Sequence, residues 1–140
     1  MTTETARLFD HAVLGAAAWV DEVALELCSQ DKHAAQRALR AVLHAIRDRL
    51  EPQEAAQLAA QMPALVRALF WEGWRPGRHS PRHAQAFLHA IGDEAQLHGT
   101  TEASFVLTSV MTVLRHHISP GEIEDVLTVM PAEVRALLSA

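Results

Sequence analysis

Nine histidines stand in a chain of 140 residues: His11, His33, His44, His79, His83, His89, His98, His116 and His117. Imidazole ligates metals and exchanges protons near neutral pH, so the spacing of these residues is the first chemical question. A zinc or iron site on a helix wants imidazoles four apart on one face, joined by carboxylates. His79 and His83 have that separation, but Ser80-Pro81 reads as a helix start and leaves His79 outside the helix. His44 and Asp48 share a helical face and supply only two ligands. Neither HExxH nor the Glu-x-x-His pair of di-iron bundles occurs. The expectation is solvent-exposed histidine with no metal and no cofactor; His79, His83 and His89 are the weak metal candidates.

Two further groups merit the same test. Trp71, Trp74 and Arg75 fall in FWEGWRP, where two indoles three residues apart at a helix end could clasp a ligand or anchor a partner. The plainer reading is that they pack the linker onto a seam. Lys32, His33, Arg37, Arg40, His44 and Arg47 form a stripe opposite the apolar face of one helix, with Arg37, Arg40 and Arg47 as weak candidates for nucleic acid. The chain is acidic overall, with a formal charge of −5, and carries no reader motif, so a solvated face of ion pairs is expected and nucleic acid is not. No nucleophile motif, phosphate-cradling glycine loop or dinucleotide fingerprint is present, so nothing points to an enzyme.

Helices must position all of these. Ala, Leu, Val, Arg, Glu and Gln dominate, with six Gly and no Tyr, a mixture that loses little rotamer freedom in a helix. Cys28 is the single cysteine, so no disulfide can close within the chain, and a buried, inert thiol is expected. The start, MTTETARLFD, is unlike a signal peptide, and the apolar run Ala12 to Val20 is too short to span a bilayer. A cytoplasmic protein with no membrane contact follows as the expectation.

MPALVRALF begins at Met62 and MPAEVRALL at Met130. A shift of 68 residues aligns Trp19–Phe70 with Phe87–Leu138 without a gap, and 14 of 52 positions are identical. Leu39, Val42, Leu43, Ile46 and Leu50 match Leu107, Val110, Met111, Leu114 and Ile118, one face of a helix. Pro52 pairs with Pro120 and Pro63 with Pro131, each able to open a helix. The chain therefore reads as all-α: two tandem homologous four-helix repeats packed as one compact helical domain, plus an N-terminal helix. Residues 1–16 are that helix, 17–72 the first repeat, 73–80 a Gly/Pro linker and 81–140 the second repeat.

The first repeat predicts helices over 16–29, 33–49, 52–61 and 63–71, and the second over 81–97, 101–117, 120–129 and 131–139; a further N-terminal helix over about 5–14 lies outside the repeat and can run on into the next one. Ser119 and Glu122 predict a reciprocal capping box, with Glu51 a weaker cap in the first repeat. Gly92 is expected at a close packing point. Arg47/Arg115, Glu54/Glu122 and Arg67/Arg135 occur in both copies, which predicts local ion pairs or helix-end contacts that each copy needs.

The run LRAVLHAIRDRLEPQEAAQLAAQMPALVRALFWEGWRP, the segment FLHAIGDEA and the closing VLRHHISPGEIEDVLTVMPAEVRALL resemble the bacterial family catalogued as domain of unknown function 2267. The resemblance implies a small cytosolic bacterial helical protein and transfers no catalytic or binding residue. The expected role is an interaction or regulatory module working through a protein partner or self-association. The alternative is a small-molecule or metal-binding bundle using the Trp/His seam between the repeats.

Overall fold

Apolar residues recur three and four apart through most of the chain. In the computed structural model, which describes residues 3–140, they form nine helices and no strand among the described residues. The helices are α1 (Thr3–Arg7), α2 (Asp10–Glu26), α3 (Lys32–Arg47), α4 (Pro52–Ala59), α5 (Ala64–Trp71), α6 (Ala84–Ala95), α7 (Thr100–His117), α8 (Pro120–Val129) and α9 (Ala132–Leu138). Helix α3 packs on α2, α5, α6 and α7, and α7 packs in turn on α2, α6 and α9. One contiguous apolar core results, drawing Trp19, Leu43, Ile46 and Phe70 together with Phe87, Ile91, Leu107 and Leu138. None of the helices in the described residues is long and apolar enough to cross a membrane.

Several backbone features recur at the 68-residue shift. Cys28 and Gln96 both adopt left-handed φ, at 54° and 61°. At each, the following N–H reaches back to a helix carbonyl, Ser29 to Ala24 and Leu97 to Gly92, closing the helix end. Arg47 donates to the Phe70 carbonyl and Arg115 to that of Leu138. Arg67 donates to the carbonyls of Ala59 and Met62, and Arg135 to those of Leu127 and Met130. These guanidiniums serve carbonyls that helix ends leave without partners.

The N-terminal helix does run on into the next: α2 is unbroken through Gly15, where a Cβ would lie 3.4 Å from that of Pro63, and the break falls earlier, at Leu8-Phe9. Three expectations need correction. Cys28 is exposed, because the left-handed residue closing α2 points its side chain outward. Gly92 has only ordinary contacts, 3.9 Å to Ala103. Finally, Glu122 does not reach back at the start of α8. The Ser119 N–H donates instead to Gln61 Oε1 (2.8 Å), and Gln61 Nε2 donates to the Ser119 hydroxyl (3.1 Å). In α4 the Glu51 N–H does donate to Glu54 (2.8 Å), while at α8 the Ser119 hydroxyl still accepts from the Glu122 N–H (3.2 Å), so only the reciprocal half of the box expected there is missing.

Candidate functional site

The segment after α5 lies along α3. The Ser80 hydroxyl donates to the Ala45 carbonyl (2.7 Å), the Ser80 N–H to the Asp48 carbonyl (3.2 Å), and Arg49 donates to the Ser80 carbonyl (2.8 Å). Pinned in this way, the chain cannot turn into helix at Pro81. Helix α6 starts at Ala84 instead, and both His79 and His83 lie outside it. Glu133 of α9 takes over the cap: its carboxylate accepts from the His83 ring (2.7 Å) and from the Ala84 N–H (3.3 Å). The His83 hydrogen bond, then that of Ala84, holds the Glu133 carboxyl below its ordinary range.

Between this segment, α3 and α6 lies an open cavity of about 430 Å³, lined in part by His44, Asp48, Arg78, His79, Asp93 and Glu94. His44 is its most enclosed titratable side chain apart from Asp48. Its Nδ1 lies 2.7 Å from Glu94 Oε2, and its Nε2 lies 2.7 Å from the Leu69 carbonyl oxygen. The ring thus lies within hydrogen-bond distance of an acceptor on α5 and of a carboxylate on α6. His44 thereby ties α5 to α6. Glu94 is what sequence spacing missed, since it sits 50 positions away.

The expected metal candidates do not converge. His83 bonds Glu133, His89 lies 3.4 Å from Asp93 on its own helix, and His79 lines the cavity from the linker. Among the described residues no three His, Cys, Asp or Glu side chains stand together as a metal site. Elsewhere, His117 stacks on Trp19 at 4.7 Å and bonds Glu22.

Trp71 is half-buried against the core, edge-on to Phe70 at 5.1 Å and to Trp74 at 5.6 Å. The indoles thus pack on each other rather than standing apart. Arg75 is exposed beside them. The basic stripe loses its C-terminal half, because the end of α5 and helix α6 cover it. Arg47 is only 2% exposed and bonds Asp48, Phe70 and Glu72, so it cannot reach a phosphate. Arg40 pairs with Glu72 (3.1 Å), while Arg37 is half-buried with no partner among the described residues.

The largest apolar exposure lies elsewhere. Leu8, Phe9, Val13 and Leu14 are 52–76% exposed, and α2 buries no residue before Trp19. Beside this arm runs a groove of about 390 Å³ floored by Ala16, Ala17, Val20, Leu65, Val66 and Leu69, with Asp21, Lys32, His33 and Gln36 at its polar edge. Contiguous apolar exposure of this kind marks interaction sites. The clue in the sequence was LFDHAVLGAAA, an apolar stretch that ends just before the duplicated segment begins at Trp19.

A third cavity, about 260 Å³, gathers Glu54, Glu122 and Asp125 where α4 meets α8. Burial, then Asp125 and Glu54, hold the Glu122 carboxyl above its ordinary range. A folded value above the unfolded one means that this group's stabilising contribution is present below the unfolded value. It is lost as pH rises through the folded value. Glu122→Gln is therefore expected to raise the melting temperature slightly at neutral pH, by roughly a few tenths of a kcal/mol after solvent screening. The gain should vanish below the ordinary carboxylate range, and a gain unchanged across that range would contradict the account.

The family described as "Uncharacterized conserved protein (DUF2267)" matches residues 16–137, and the chain belongs to it. No curated protein matches the chain.

Proposed function

We propose that this DUF2267 chain is a non-enzymatic interaction module working in the cytoplasm through a protein partner. The observation that carries this reading is the exposed apolar arm, Leu8, Phe9, Val13 and Leu14, beside an apolar groove on the same helix. The arm precedes residue 16, where the family match begins. In this reading the family scaffold is two tandem four-helix repeats, α2–α5 and α6–α9, related by a pseudo-twofold and joined through 73–80. The left-handed pair Cys28/Gln96 and the matched carbonyl contacts of Arg47/Arg115 and Arg67/Arg135 support the duplication. The first two residues of the proposed N-terminal segment 1–16 lie outside the described residues.

A second reading comes from the polar cavity at the seam: a small molecule held by His44, Arg78 and Glu94, with Trp71 at the end of α5 and Trp74 and Arg75 on the linker nearby. Native mass spectrometry of the protein recovered gently from its own host decides between the two. An added mass of a folded chain is expected. A small-molecule mass would move the function to the seam, and a bare chain would overturn the interaction reading.

A further inference from the structure

We propose that the occupant of the groove is the arm of a second copy, so that two chains exchange arms reciprocally about a twofold axis between antiparallel α2 helices. This rests on the interaction reading and names its partner. Three features carry it. First, arm and groove are complementary yet cannot meet within one chain: Val13 and Leu14 belong to the same unbroken helix as Ala17 and Val20. A straight helix cannot fold onto its own flank. Second, a twofold arrangement uses each arm and each groove once, the self-complementarity of an isologous interface. The doubling brings a short arm toward the roughly 800 Å² per partner of a stable interface.

The third feature is charge. The edge of the groove offers Lys32 and His33, with Arg37 one turn along α3 from His33. Lys32 already pairs with Asp21 (2.9 Å), whereas His33 and Arg37 have no side-chain partner among the described residues. The arm carries Glu4 and Asp10. Antiparallel pairing centred between Ala16 and Ala17 sets Val13 over Val20. It also brings the acidic start of the arm toward the Lys32 end of the groove.

The test is the solution mass of the full chain by light scattering across micromolar concentrations, beside Leu14→Glu and Leu65→Glu. Leu14 and Leu65 are 68% and 44% exposed, so neither change threatens the fold, and circular dichroism and melting temperature verify this. The expected result is twice the chain mass for the unaltered protein and the single-chain mass for each variant. An equimolar mixture of the two variants should regain mass, because a mixed dimer restores one intact arm–groove contact. A monomeric unaltered chain, or a dimer indifferent to both substitutions, would overturn arm exchange. If the chain is monomeric in this test but carries a different protein when recovered from its host, exchange fails while the interaction reading stands. A bare monomer in both ends both.

Discussion

Arg47→Ala lowers the stability of the fold by roughly 3–5 kcal/mol, the cost of leaving a buried charge without its partner. Arg47 is 2% exposed; its Nε donates to Asp48 (2.9 Å) and its Nη1 to the carbonyls of Phe70 (2.7 Å) and Glu72 (2.8 Å). Truncation strands the Asp48 carboxylate, itself only 9% exposed, and frees two carbonyls at the end of α5. Asp48 has no acidic counterpart at the shifted position, which is His116. Arg115 accordingly makes a single bond, to Leu138, from a more open site, and Arg115→Ala should cost about 1 kcal/mol. Arg40, paired with Glu72 in solvent, serves as the control and should cost about 0.5 kcal/mol or less. Urea titration reads all three as shifts in midpoint at constant slope. Equal losses for Arg47 and Arg115 would mean that the Asp48 pair contributes nothing beyond the carbonyl contacts.

That asymmetry shows what could be read from the chain alone. The role of Arg47/Arg115 and Arg67/Arg135 as helix-end contacts was legible, because a residue kept at the same place in two copies serves what the copies share. Helix type and core face were legible from periodicity, since Leu39, Val42, Leu43 and Ile46 recur three and four apart. Contacts between distant segments were not. Glu94 beside His44, Glu133 capping α6 and Gln61 on Ser119 join residues 49 to 58 positions apart, where no local rule reaches. Cys28 misled for a local reason. A left-handed helix end usually calls for glycine or asparagine, and Cys28 and Gln96 are neither. The arm was missed because the apolar run from Ala12 to Val20 is weighed only as a membrane span, and sequence does not show where the body of the fold stops.

Phe70→Ala should lower stability by roughly 3–5 kcal/mol through the cavity it leaves. Phe70 is fully buried at the end of α5, edge-on to Trp71, and its carbonyl is the one that Arg47 holds. Its loss therefore loosens the core and the support under the half-buried indole of Trp71 together. Trp74 touches Trp71 edge-to-face from the turn after the helix, with its backbone N–H donating to the Trp71 carbonyl. An aromatic pair of this kind contributes about 1 kcal/mol, so Trp74→Ala should cost that much and little more. Chemical denaturation measures both, and the emission of the remaining indoles in Phe70→Ala should shift to the red as water gains access to Trp71. The order matters because it separates two descriptions of FWEGWRP. If the corner extends the core, damage falls steeply from Phe70 to Trp74. If Trp74 instead proved the costlier loss, the linker would carry the packing, and the tryptophans would regain their claim as an anchoring site.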